Sequence, residues 1–465
     1  MENNVLETLI ENGKKYAENK DYDNAIKQFD EAVKLDPNNA YAYAKRGDCY
    51  SEKEQYDEAI NDLNEAIRID PDYAWAYVNR GCYYVGKEKY DEAIKDYNEA
   101  IKLNPDYVGV YVGRGICYRI KEKYDEAINN YNEAIRIDPD FALAYESRGF
   151  CYMKKEKYDE AINDYNEAIR LDSDFALAYA FRGNCYEERK QYIEAINDYN
   201  EAIRIDPDFA LAYYSRGYCY KRKERYDEAI NDYNEAIRID PDSAWAYASR
   251  GDCYEKKEQY DEAINDYNEA IRLNPDYDYA YNYRGCCYLK LEKYYIAIND
   301  FNEAIRIDPY YASAYENRGD CYNRINQFSK SICDYNKAIK LDPEFHDNYL
   351  FRAFAYWRKG QYDEAISDIN EFIRLEPAKS HSYSLRGMVY KDQGQMYQAI
   401  QDFAAAVILD PSNEFMQEEL QECCNYFELY SLMIHNFYFV FYFIINGNYP
   451  LYSCLIAITK NLIEE

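Results

Sequence analysis

The sequence predicts an all-α solenoid of twelve 34-residue helix-turn-helix repeats, and two residue columns predict it. Proline recurs at Pro37, Pro71, Pro105, Pro139, Pro207, Pro241, Pro275, Pro309, Pro343, Pro377 and Pro411, with Ser173 filling the one gap and only Pro450 out of phase. Glycine keeps the same period at Gly13, Gly47, Gly81, Gly115, Gly149, Gly183, Gly217, Gly251, Gly285, Gly319 and Gly387, with Ala353 the exception. Two residue types with unrelated roles and one shared period mark a stack of similar units, not the three or so globular domains that 465 residues would otherwise suggest.

The units start at residues 6, 40, 74, 108, 142, 176, 210, 244, 278, 312, 346 and 380 and end at 413, after a lead-in of residues 1–5. In the unit Ala40 to Tyr73, Tyr43, Gly47 and Tyr50 share one face of a first helix by their i, i+4, i+7 spacing. A short polar turn follows near Glu54 and Gln55. Asp57 and Glu58 then open a second helix, where acids suit the positive end of the dipole, and Ala59, Leu63, Ala66 and Ile67 form its apolar face. Pro71 ends it, and Asp72 is a plausible cap for the next helix. A mid-helix glycine costs about 0.5–1 kcal/mol relative to alanine, so repeating it implies close approach of two helices. The alanine columns fit that reading, with large tyrosines filling the space beside the small residues.

These residues resemble the tetratricopeptide repeat family, whose pattern is W-x2-L-G-x2-Y, then A-x3-F, then A and P. Tyr43, Gly47, Tyr50, Ala59, Leu63, Ala66 and Pro71 occupy it, as do Tyr145, Gly149, Tyr152, Ala161, Tyr165 and Ala168 in a later unit. The resemblance covers residues 6–413. It implies a right-handed superhelix whose first helices line a concave groove that binds other proteins. One departure is systematic: the leucine before glycine is arginine in eleven units, from Arg46, Arg80 and Arg114 onward. An aspartate recurs in the second helix (Asp62, Asp96, Asp164, Asp198), so the arginines either pair with it or lie solvated.

The composition argues against several other functions. Lys and Arg total 55 against 86 Asp and Glu, a formal charge of −31, which disfavours binding nucleic acid through its phosphates. Three histidines, His346, His381 and His435, leave little material for general-base catalysis or mixed metal sites. Cys49, Cys117, Cys151, Cys185, Cys219, Cys253, Cys287 and Cys321 form a ladder at the repeat period or its multiples, which does not converge as metal ligands must and reads as small buried residues. The acidic pairs of the YDEAI segments read as the solvated face of the second helix. No catalytic, cofactor-binding or metal site is expected, and the chain reads as a scaffold, not an enzyme.

Groove-facing positions lie six and three residues before the glycine column and one and four after it. The six-before column is strongly apolar: Tyr41, Trp75, Gly109, Leu143, Leu177, Leu211, Trp245 and Tyr279. It either anchors a partner peptide or helix or packs on the neighbouring repeat. Tyr218 stands one after its glycine. In the unit that starts at His346, Ala353 replaces glycine and Phe372 replaces alanine, while Leu350, Phe354 and Trp357 form an apolar stripe. That stripe reads as a hydrophobic partner patch or as a decayed terminal repeat. A basic column, Lys154, Arg222, Lys256, Lys290, Arg324 and Arg358, lies five after the glycine position; it either receives an acidic segment or terminal carboxylate, or serves the negative helix ends.

Residues 414–428 read as a capping helix. Residues 429–465 are different: Leu429 to Thr459 holds no Asp, Glu, Lys or Arg and is rich in Phe, Tyr and Ile. Its 17-residue start, Leu429 to Ile445, is at the lower limit for a membrane span. A tail anchor, a hydrophobic hairpin or helix docked on the last repeats, and poorly ordered sequence all remain open. The opening MENNVLETLIENG has neither the basic start nor the apolar run of a secretory signal. The expectation is a cytoplasmic scaffold, with a membrane-tethered adaptor as the alternative through residues 429–459.

Overall fold

The computed structural model describes residues 2–426, and among them regular structure is helical throughout, with no strand. The chain divides into two compact units, Met1–Asp240 and Pro241–Glu465. The first holds seven hairpins: α1 Glu2–Glu18 with α2 Tyr22–Leu35, α3 Ala40–Glu52 with α4 Tyr56–Ile69, α5 Ala74–Gly86 with α6 Tyr90–Leu103, α7 Val108–Ile120 with α8 Tyr124–Ile137, α9 Ala142–Lys154 with α10 Tyr158–Leu171, α11 Ala176–Glu188 with α12 Tyr192–Ile205, and α13 Ala210–Arg222 with α14 Tyr226–Ile239. The second holds five more, α15 Ala244–Lys256 with α16 Tyr260–Leu273, α17 Asp278–Lys290 with α18 Tyr294–Ile307, α19 Ala312–Arg324 with α20 Phe328–Leu341, α21 Asp347–Arg358 with α22 Tyr362–Leu375, and α23 Ser380–Asp392 with α24 Met396–Leu409, then α25 Glu414–Tyr426.

The helices start where the period places them, with two adjustments. The expected lead-in belongs to α1, which begins at Glu2, and the capping helix is described as far as Tyr426. The expectations for 427–465 lie outside the described residues.

Within each unit a second helix packs between the first helix of its own repeat and that of the next, and successive first helices also touch. The hairpin turn passes through a left-handed residue, φ near 60° at Glu54, Glu88, Glu122, Glu156 and their equivalents. Only the last two turns use glycine there, Gly360 and Gly394, where a Cβ is costly.

The glycine column makes the close approach that its period implies. A Cβ built on Gly183 would lie 2.7 Å from Cε1 of Tyr199, and one on Gly115 2.6 Å from Cε1 of Tyr131. Those rings are fully buried, as are the alanines at Ala127, Ala161 and Ala195. The repeat of α21 and α22 keeps the fold by exchanging sizes. Ala353 replaces glycine, but Ile369 stands in the tyrosine position opposite it, and Phe372 fills the adjacent alanine site; all three are buried. The eight cysteines of the ladder are buried thiols outside any disulfide, and burial pushes the Cys117, Cys151 and Cys185 thiols up to about 12. They are packing residues.

The arginine column pairs with aspartate. In ten repeats the guanidinium meets the aspartate sixteen residues on, from Arg46–Asp62 to Arg386–Asp402. In α11, Arg182 Nε donates to Asp198 Oδ2 at 2.8 Å and Nη2 donates to Oδ1 at 2.6 Å. Its Nη1 donates to Asn166 Oδ1 of the preceding repeat at 2.6 Å, and the guanidinium lies over the Tyr179 ring. Arg182 therefore joins its own hairpin and ties it to the one before, and arginines elsewhere inside each unit repeat the arrangement. Arg114 is the odd member: its partners are the amides Asn130 and Asn98, and burial without a carboxylate lowers its pKa.

Candidate protein-binding face

The first helices carry the residues expected to bind partners, and the structure sorts them into three groups. The six-before column is open at four of its apolar positions. In the first unit Leu143, Leu177 and Leu211, each one 34-residue step from the next, are 41, 44 and 47% exposed. Trp245 in the second unit is 62% exposed, with its ring 4.9 Å from that of Tyr277. Trp75 is half-buried, stacked on Tyr73 under the Lys45 ammonium. Three leucines left this open on successive first helices form an apolar row that neighbouring repeats cover only in part.

The three-before column is mostly interior, which corrects the expectation that it faces a groove. Ala44 packs with Ala76, Val78 with Val110 and Cys117, and Val112 with Ala144 and Cys151. These positions fill the seam between successive first helices. Leu350 is the same case: it is buried against Ala353, Phe372 and Val389 and is not available to a partner in this state. The expected stripe of the eleventh repeat thus reduces to Phe354 and Trp357. Both are half-buried, edge to face at 5.8 Å, with Trp357 Nε1 donating to Asp392 Oδ2 at 2.8 Å. Tyr218 is also half-buried.

Lys154, Arg222, Lys256, Lys290, Arg324 and Arg358 all lie exposed in the last turn of a first helix, where cations suit the negative end of the dipole. Several have local work as well. Lys154 lies over the Phe150 ring, Arg222 Nε donates to Tyr192 Oη at 3.3 Å, and Arg324 Nε stands 3.5 Å from Asp320.

Sequence reading missed two carboxylic acids on this side. Glu187 of α11 accepts from Tyr199 Oη at 3.0 Å and lies 3.9 Å from the Cys219 sulfur. Burial pushes its carboxyl up to about 7. Glu316 of α19 is likewise pushed up to about 7 by burial, with Asp347, Asp320 and Asp342 adding to the effect. The mixed chemistry of the four-after and three-before columns hid them.

The Glu187 carboxyl, raised in the folded state, favours folding while protonated, so that stability is lost as pH rises from the ordinary glutamate value through about 7. The residue is not fully enclosed, so the loss is discounted to about 2 kcal/mol. Glu187→Gln is therefore expected to be more stable than the parent at pH 8, the difference closing at pH 5. Urea midpoints of both chains at the two pH values check it.

Among the described residues no group of His, Cys, Asp and Glu is arranged to hold a metal ion. No described helix is long and apolar enough to cross a membrane.

Family models described as TPR repeat match residues 13–53, 47–86, 117–155, 183–224 and 219–258, and models described as tetratricopeptide repeat match 74–107, 142–175, 244–277, 278–311, 312–345 and 352–414. The chain belongs to the tetratricopeptide repeat family. Comparison of this tetratricopeptide repeat protein with the curated proteins gives no match. Among solved structures it is similar to a chain of the APC/C hetero-tetramer Cut9–Hcn1, at 14% identity over 88% of this chain and 95% of that one, with a TM-score of 0.46. It is similar to yeast Tom70 at 18% identity over 91 and 96%, TM-score 0.38. It is also similar to YrrB, described as a TPR protein with an unusual peptide-binding site, at 26% identity over 40 and 95%, TM-score 0.34.

Proposed function

We propose that the protein is a non-catalytic scaffold that binds peptide or helical segments of other proteins along its first helices. The row Leu143, Leu177 and Leu211 carries the reading, because interior positions of the same helices are spent on repeat cohesion and these three are left in solvent. An apolar row at a fixed step suits the side chains of an extended segment or the apolar face of a helix. Exposed cations at the last helical turns, Lys154 and Arg222 in this unit, offer the partner a polar rim.

The test is binding of the intact chain to a displayed peptide library, selected on the parent and repeated with Leu143→Ser, Leu177→Ser and Leu211→Ser combined. Anchors of this kind are worth about 1 kcal/mol or more each, so the selected peptides are expected to lose about a hundredfold in affinity. The thermal midpoint should stay within a few degrees of the parent, since the three side chains are solvent-facing. Unchanged affinity in the triple variant rejects this face as the binding site.

A membrane-tethered adaptor is the second reading, favoured by the charge-free run Leu429 to Thr459. Vesicle flotation of the full chain and of a chain lacking residues 429–465 separates the two: the adaptor reading requires that only the full chain floats.

A further inference from the structure

A second ladder runs between repeats, thirty residues apart. The aspartate in the first turn of a second helix meets the cation that ends the following first helix: Asp23 with Lys53, Asp57 with Lys87, Asp91 with Lys121, Asp125 with Lys155, and Asp159 with Arg189. In the second unit Asp363 accepts from Gln393 at 3.0 Å in the same register. The pairing lysines hold the Asp57, Asp91 and Asp125 carboxyls below their usual range.

The rung between α20 and α21 has the cation but lacks the acid. Ser329 stands in the aspartate position and Lys359 in the lysine position. Both are exposed, and together with Asn326, Gln327, Phe328 and Lys330 they line one shallow surface hollow. The first turn of α20 contains no acid, and its cap residue Gln327 makes no side-chain capping bond. The surroundings are cationic: Arg358 lies over the Phe328 ring and Lys330 over the Tyr322 ring. Other interruptions of the ladder differ in kind. In the same register Tyr295 stands with Ile325, Asp261 with Leu291, which has the acid but no cation, and Ile193 with Lys223, where the isoleucine can never acquire charge. A serine hydroxyl can.

We propose that Ser329 is a phosphorylation site, its phosphate completing the rung to Lys359. The donor is a nucleoside triphosphate, and the enzyme is a serine/threonine protein kinase that accepts a serine in basic surroundings. The Ser329 hydroxyl oxygen forms a bond to the γ-phosphorus, the bond from that phosphorus to the β,γ-bridging oxygen breaks, the nucleoside diphosphate leaves, and the hydroxyl proton passes to the kinase's base. The product carries about −1.5 to −2 charge at pH 7. It sits in the first turn of α20, where negative charge suits the helix dipole, and opposite an ammonium group, as the aspartates of the other rungs do. Phosphorylation thereby fastens the tenth repeat to the eleventh, the repeat that presents Phe354 and Trp357.

The test uses the full chain treated with a panel of basophilic serine/threonine kinases and Mg-ATP, with sites mapped by mass spectrometry. Phosphate is expected at Ser329 and absent there in Ser329→Ala. A chain carrying phosphoserine at 329 by co-translational incorporation then gives the geometry through its 31P titration. Its second ionisation should fall about half a pH unit below the ordinary value near 6, and Lys359→Met should restore it. The proposal is overturned if no kinase of the panel modifies Ser329, or if the second ionisation of the phosphate is unchanged by Lys359→Met.

Discussion

Asp198→Ala is expected to destabilise the first unit by about 3 kcal/mol, because it leaves a half-buried guanidinium facing an emptied site. Asp198 is 6% exposed and receives two hydrogen bonds from Arg182. Burial pushes its carboxyl up, and the Arg182 guanidinium opposes that push. The guanidinium of the variant keeps Asn166 as its hydrogen-bond acceptor and the Tyr179 ring beneath it, with no carboxylate. Urea unfolding read by circular dichroism measures the loss. Arg182→Met with Asp198→Leu should cost less than the sum of the single changes, since the apolar pair strands no charge. An additive double variant would show that the two residues act separately. Arg114, whose partners are both amides, shows that the fold accepts the column without the carboxylate in one repeat.

Gly183→Val has a comparable expected cost, about 3 kcal/mol, from a different cause. The new Cβ would stand 2.7 Å from the Tyr199 ring, and that ring has no room to retreat. It is fully buried, and its hydroxyl lies 2.8 Å from Asn184 Oδ1 and 3.0 Å from Glu187 Oε2. Overpacking of this kind costs about 1–3 kcal/mol, and the β-branch adds to it, while removing a helix glycine returns about 1 kcal/mol at most. The eleventh repeat indicates the rescue. There alanine lies opposite Ile369, so Gly183→Ala combined with Tyr199→Ile should be more stable than the two single changes predict. The same unfolding measurement decides it, with the m-value showing whether the unit still unfolds as one.

Much of this fold can be read from the chain because its signals repeat. Proline marks the helix ends within a residue or so, the mid-helix glycine announces close packing against a large side chain, and the Arg46 and Asp62 columns offered a pair that the structure shows. The bond from Arg182 back to Asn166 of the preceding repeat, and its equivalents inside each unit, could not be read, because these residues look like ordinary polar surface on a second helix. The exposure of the candidate binding residues was read only in part. Leu143, Leu177 and Leu211 are open as a binding surface requires, but Leu350 is not. A helical period tells which residues share a face; it does not tell which part of that face the next first helix covers. Val78 and Val112 show the covered part, packed against the following repeat. Glu187 and Glu316 escaped notice because burial, not residue type, gives them their character.

The most direct measurement is site-specific photo-crosslinking in the native cell, with a photoreactive residue placed at Leu143, Leu177 or Leu211 and, separately, at Glu126, Glu160 or Glu194 in the first turns of the second helices. Partner proteins should be captured from the three leucine positions and not from the three glutamate positions. Capture from the glutamates with silence at the leucines would contradict the account.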